Sequence, residues 1–238
     1  MIKTSQSVDL IRLVAHALGE LNDSAVFVGG ATVPFYIPEV YWPQARATED
    51  VDVVLEIMGR KENWATEEKL REKGFKNDVS EEAPICRWVY KGLKVDVMIP
   101  DGEVFGFTNK WYKEGVEKAV QLKSPLPEVK IFSFPYFLAT KMEAFLGRGD
   151  GDYQGSPDME DIISVLETHQ KDKMKVSLKN TSDELKSYLK VHLNHLKVNN
   201  DFLDALPGAT FNRIDTIEGS KSVVDSIELI LKRVSHGI

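Results

Sequence analysis

A single cysteine, Cys86, stands among the 238 residues, so neither an intramolecular disulfide nor a cysteine-built zinc site can hold this chain together. It lies in the apolar run ICRWVY, where a buried, inert thiol is expected. Long hydrophobic runs are also lacking. The longest uncharged apolar stretch, Ala25 to Pro38, is interrupted by Gly29, Gly30 and two prolines and falls short of the roughly 20 residues that a membrane-spanning helix requires. The opening MIKTSQSVDLIRLV has one early lysine and an aspartate where a signal peptide would carry its apolar core, which predicts a cytoplasmic protein without a membrane partner. Excess positive charge is missing too: the net charge of -7 argues against a global nucleic-acid surface, while leaving local patches and metal sites open. No internal repeat or low-complexity segment occurs. With 42% hydrophobic and 28% charged residues, the chain has the composition of a globular protein of one large or two modest domains.

Apolar residues at threes and fours predict a helix over 5–21. Ala25–Val28 reads as a short buried strand running into Gly29-Gly30, where a turn or helix starts. The β-branched segment from Asp50 to Ile57 predicts a strand bounded by Gly59, and residues 61–74 a helix closing at Gly74. Strands over Ile85–Tyr90 and Leu93–Ile99 would form a hairpin about Lys91-Gly92, stopped by Pro100-Asp-Gly102. Beyond Phe134, helical periodicity runs through Tyr136–Leu146, Met159–Glu167, Asp183–Leu196 and Ser222–Val234. The fold class expected is α/β (α+β): a small mixed sheet with flanking helices over 1–125, then a mostly helical domain over 126–238, with the proline-marked segment Leu122–Val129 between them.

Chemistry is suggested first by Asp50-Val-Asp52. Residues two apart on a strand share a face, so these carboxylates lie side by side, and such like charges call for a cation. Mg²⁺, held by one or two carboxylates and completed by substrate phosphates and water, is the usual solution; a solvated strand edge is the alternative. Asp96, flanked by valines in a second strand, would bring a third carboxylate. Three on neighbouring strands can hold two metal ions for an in-line phosphoryl displacement, and the alternative for Asp96 is an ion pair with Lys94, Arg87 or Lys91. Gly29-Gly30 after the first strand lets backbone approach a phosphate, or simply turns the chain. It is neither a Walker loop nor a dinucleotide fingerprint.

The order Gly29-Gly-Ala-Thr32, Arg46-Ala-Thr48-Glu-Asp50-Val-Asp52 and Val95-Asp96-Val97 resembles the motifs of the DNA polymerase β-like nucleotidyltransferase superfamily. Downstream, Lys141-Met-Glu-Ala144, Arg148 and Asp158-Met-Glu-Asp161 look like the K-x-x-A, R and D-x-x-D arrangement of the AbiEii-like nucleotidyltransferases, toxins of type IV toxin–antitoxin systems. This resemblance spans about residues 8–168 and implies a nucleotidyltransferase fold. It also implies Mg²⁺-dependent (or Mn²⁺-dependent) transfer of a nucleoside monophosphate from an NTP to an acceptor hydroxyl. By the same resemblance Asp50, Asp52 and Asp96 would be catalytic metal ligands, with Asp96 also orienting or deprotonating the acceptor. Gly29, Gly30 and Thr48 would bind the nucleotide's phosphates, Lys141 would offset charge developing on them, and Asp158 would position Lys141 or the nucleotide; Arg148 and Asp161 would be structural. A solvated helical lysine is the alternative for Lys141. A cognate antitoxin would be the protein partner.

The sequence departs from that pattern at Pro34 and Pro38, which stiffen the glycine loop, and at the long Gly149–Pro157 link ahead of Asp158. Gly149-Asp-Gly-Asp152 lacks the spacing of a calcium loop, and His192 with His195 has no further zinc ligands nearby. Seven lysines against three acids between His169 and Lys197 suggest a phosphate-backbone contact, or a solvated face. Acceptors in view are therefore tRNA or another macromolecule first, then a small molecule of aminoglycoside type. The rival class is a non-catalytic nucleotide-binding interaction module.

Overall fold

The computed structural model describes residues 5–56, 60–99, 109–122, 128–168, 178–211 and 215–236. The chain divides into two compact units that are interleaved in sequence. One comprises Thr4–Thr32 with Ala47–Phe132 and carries the sheet; the other comprises Met1–Lys3, Val33–Arg46 and Ser133–Ile238 and is mainly helical.

The sheet unit begins with α1 (Gln6–Leu18), whose Val8, Ile11, Val14 and Leu18 are fully buried, and continues through a 3₁₀ turn into β1 (Ala25–Val28). Further strands are β2 (Asp50–Leu55), β3 (Lys76–Asn77), β4 (Arg87–Tyr90), β5 (Leu93–Met98), β6 (Val120–Leu122) and β7 (Val129–Ile131). Helices α2 (Arg60–Glu72) and α3 (Tyr112–Glu117) accompany them. The strand order is β3-β4-β5-β2-β1-β7-β6. β2 runs parallel to β5 and β1 parallel to β7, and the remaining pairs are antiparallel, so the sheet is mixed as expected. β2 is buried on one face throughout by Val51, Val53 and Leu55, and the opposite face changes from aspartate to valine at Val54. Its central position follows from that burial: a strand with apolar residues on both faces at one end must lie inside a sheet.

The hairpin between β4 and β5 turns at Lys91 (φ 48°) and Gly92 (φ 84°). Two consecutive positive φ values define the two-residue turn whose twist matches paired strands, and Gly92 adopts its φ without strain. This turn sets the register Tyr90↔Leu93 through Arg87↔Asp96. After Gly30 the chain forms a 3₁₀ turn with Pro34 inside it, since proline removes a donor that a longer helix would need. Strands β6 and β7, which periodicity did not reveal, complete the sheet at its far edge. The expected segments around Gly59, Pro100–Gly102, Pro125 and Pro127, and Lys171, Lys173 and Lys175, lie outside the described residues.

The helical unit contains α4 (Phe134–Arg148), α5 (Pro157–Thr168), α6 (Asp183–Val198), α7 (Asn200–Ala209) and α8 (Thr216–His236). Leu185, Leu189 and Leu193 on α6 and Val223, Ile227 and Ile230 on α8 are fully buried at helical spacing, and these two helices pack together. α6 starts at a serine cap, Ser182, whose hydroxyl accepts from the Leu185 amide, and α7 at Asn199, whose side chain accepts from Phe202. Among the described residues, no helix is long and apolar enough to cross a membrane.

Candidate active site

In the sheet unit, strand register brings the predicted acidic residues onto one face. Asp50 and Asp52 are two apart on β2, and Asp52 is the direct partner of Asp96 on parallel β5. Asp50 is 38% exposed at its side chain and Asp96 11%. Arg87, opposite Asp96 on β4, reaches across this face. Its Nε donates to Asp96 Oδ1 at 2.7 Å, and its Nη2 donates to Asp96 Oδ2 at 2.7 Å and to Asp50 Oδ2 at 3.2 Å. The fork geometry fits a carboxylate with two parallel, charge-assisted bonds. The Asp96 hydrogen bonds and the charges of Asp96 and Asp50 hold the Arg87 pKa well above its ordinary value despite partial burial. Beside it, burial, then the charge of Asp96, pushes the Cys86 thiol up to about 11. That thiol is the inert group the sequence led one to expect.

The glycine turn abuts the same face. Gly29 (φ 72°) sits where any Cβ would run into the Asp52 carboxylate, so glycine is required both by conformation and by space. Its carbonyl accepts from the Thr32 amide at 3.2 Å and the Thr32 hydroxyl at 2.8 Å, which fixes the turn at Gly29-Gly30. Thr48, ahead of the acidic pair, is 6% exposed, and its hydroxyl oxygen is buried without a hydrogen-bond partner. An orphaned buried hydroxyl carries a desolvation penalty that a bound polar group would relieve. The oxygen-only donors Asp50 and Asp52 on one strand face, with the Thr48 hydroxyl two residues ahead, fit a hard divalent ion carrying phosphates. Among the described residues, no group of three or more histidine, cysteine, aspartate or glutamate side chains is gathered as a ready metal cage.

The helical unit holds the other two predicted site residues. Lys141 on α4 is 6% exposed, and its Nζ donates to Asp158 Oδ1 at 2.9 Å and pairs with Asp161 Oδ2 at 2.6 Å, both on α5. A solvated lysine is therefore excluded at this position. Asp158 is gripped bidentately by Arg148 at 2.8 and 3.0 Å, and Asp161 by Arg46 at 3.2 and 3.1 Å. Burial alone would raise the Asp158 pKa, but the Arg148 hydrogen bond and the Lys141 charge outweigh it and hold the carboxyl below its ordinary value. Burial likewise would lower Lys141, and the charges of Asp161 and Asp158 reverse the direction. The D-x-x-D spacing is thus a helix-face pair that shares one lysine, with each aspartate backed by its own arginine.

The fold these elements make is the nucleotidyltransferase fold. A nucleotidyltransferase-like antigenic protein of Paracoccidioides brasiliensis superposes on 92% of this chain and 94% of its own, with a TM-score of 0.50 and 19% identity. JHP933 of Helicobacter pylori covers 98% of this chain and 95% of its own, with a TM-score of 0.48 and 15% identity. No family model matches the chain, and no curated protein matches it.

Of the ion-pair partners open to Asp96, the structure realises Arg87; what motif spacing did not show is that Arg87 also reaches Asp50 and that Arg46, quoted with the acidic motif, pairs with Asp161. For Arg87 a signal was present: a two-residue turn at Lys91-Gly92 places residue 87 opposite residue 96. For the Arg46–Asp161 pairing there was none, because the two residues are 115 positions apart.

Proposed function

We propose that this protein is a Mg²⁺-dependent nucleotidyltransferase that moves a nucleoside monophosphate from an NTP to an acceptor hydroxyl and releases pyrophosphate. The observation that carries the reading is the shared face of Asp50, Asp52 and Asp96 beside the Gly29 turn, with the orphaned Thr48 hydroxyl two residues ahead of Asp50 in the chain. The nucleotidyltransferase fold supports it. Asp50 and Asp52 would hold the ion, which when bound neutralises phosphate charge and aligns the α-phosphate for in-line attack. Gly29 and Gly30 admit the phosphates close to backbone, and the Thr48 hydroxyl donates to one of their oxygens. Asp96, held in place by Arg87, orients the acceptor. The assignment of Lys141 and Asp158 to the nucleotide rests on the AbiEii-like resemblance, as do the cytoplasmic toxin role and the cognate antitoxin.

The acceptor we favour is a tRNA or another macromolecule, on the strength of the lysine-rich stretch 169–197. Two of its lysines are already engaged: Lys186 pairs with Asp183 and Lys197 with Glu228. One observation favours a second reading, a nucleotide-binding module without chemistry: both oxygens of Asp96 are taken by Arg87. Pyrophosphate release separates the two. Purified protein is incubated with Mg²⁺, each NTP and total tRNA, then with aminoglycosides, beside Asp52→Asn. Release by the wild type alone supports transfer; nucleotide binding by thermal shift with no release for any acceptor supports the binding module.

A further inference from the structure

The acidic face carries its own cation. Arg87 lies on a strand next to the one bearing Asp96 and two strands from Asp50, yet its guanidinium contacts both carboxylates. It is only 18% exposed, and the β4–β5 hairpin fixes its Cα opposite Asp96, so it is built into the face. A second divalent ion at Asp96 would meet an oxygen pair already saturated by two 2.7 Å bonds, with a fixed positive charge beside it.

We propose that Arg87 fills the second-cation position of this site, so that the protein without nucleotide binds one divalent ion, through Asp50 and Asp52, and keeps Asp96 as a positioned carboxylate outside the metal shell. The inference rests on the reading of Asp50 and Asp52 as cation ligands. Removing the guanidinium opens Asp96 to the metal, whereas keeping its charge does not.

The test is Mn²⁺ binding to the full chain without nucleotide, followed by titration calorimetry and by the loss of the free Mn²⁺ paramagnetic resonance signal. Wild type is expected to take one Mn²⁺ per chain. Arg87→Gln should bind Mn²⁺ about tenfold or more tightly, or take a second ion, and adding Asp96→Asn to it should abolish that gain. Arg87→Lys, which keeps the charge, should stay close to wild type. Asp96→Asn alone, which removes no proposed ligand, should still take one Mn²⁺ per chain, with its affinity lowered only by the loss of a nearby negative charge, and it serves where Arg87→Gln does not fold by circular dichroism. Unchanged binding in folded Arg87→Gln, two Mn²⁺ per wild-type chain, or no Mn²⁺ bound by folded Asp96→Asn overturns the inference. Asp52→Asn reports on the underlying reading separately: if it binds Mn²⁺ as the wild type does, the assignment of the ion to Asp50 and Asp52 fails whatever Arg87 does.

Discussion

Replacing Lys141 by methionine isolates the buried ion-pair network of the helical unit. The substitution keeps the length and apolar stem of the side chain and removes its charge, leaving Asp158 and Asp161, 2% and 1% exposed, with one arginine each. Removing one partner from a buried pair costs about 3–5 kcal/mol, because the other charge stays desolvated. The remaining Arg148 and Arg46 contacts place the expected loss near the lower end, about 3 kcal/mol, or roughly 6–12 °C in melting temperature for a chain of this size. Arg148→Met is the internal comparison: the Arg148 side chain is 73% exposed, so its loss should cost about 1 kcal/mol or less. Urea unfolding would be followed by circular dichroism and by tryptophan fluorescence, to which Trp42 contributes from the same unit as Lys141, with Trp64, Trp88 and Trp111 replaced by phenylalanine in the background chain to isolate it. Coincident transitions would license a single free energy. Adding Asp161→Asn to Lys141→Met should recover part of the loss, since one uncompensated charge is then gone. A Lys141→Met loss of about 0.5 kcal/mol or less, or one no larger than that of Arg148→Met, refutes the claim that this lysine pins α4 to α5.

Three further outcomes follow from the same geometry. Gly29→Ala should lower NTP and Mn²⁺ binding together in calorimetry and abolish transfer, because a methyl group there displaces the Asp52 carboxylate and φ 72° is strained for alanine; wild-type binding would contradict the role given to the close approach of Gly29 and Asp52. With its folded pKa below the ordinary 3.8, Asp158 contributes stability that is complete above about pH 4 and lost as pH falls through its folded pKa. Its replacement by asparagine should therefore shrink the stability difference between pH 6 and pH 3 in urea titrations, and an unchanged difference would refute that linkage. With its pKa pushed up to about 11 and 2% exposure, Cys86 should resist iodoacetamide at pH 8 in the native protein and react once urea unfolds it; rapid native labelling would refute its burial.

What could be read along the chain was local. The Asp–Val alternation of β2, the turn at Lys91-Gly92 and the leucine spacing of α6 each express a preference over a few residues, and the structure realises all three. The three-residue strands β6 and β7 were not legible, because so short a segment carries hardly one period of alternation; parallel pairing with β1 is what makes β7 a strand. The same limit applied to the site. Spacing showed that Asp50 and Asp52 share a face, but Arg87 comes to bear on Asp50 only through two strand pairings, and Lys141 meets its aspartates through helix packing 17 and 20 positions downstream. Burial excludes the solvated side chain that helical periodicity left open for Lys141, and its pairs with Asp158 and Asp161 make it part of the buried network between two helices.

Nucleotidyl transfer itself is tested most directly by following which phosphorus moves. Wild type and Asp52→Asn are incubated with Mg²⁺ and total tRNA or cell lysate, once with each NTP labelled at the α-phosphate and once with label at the γ-phosphate. The account predicts that α-label enters an acceptor with the wild type alone, in a Mg²⁺-dependent reaction, while γ-label leaves as pyrophosphate. Transfer of γ-label to the acceptor, or equal α-labelling by Asp52→Asn, would contradict it.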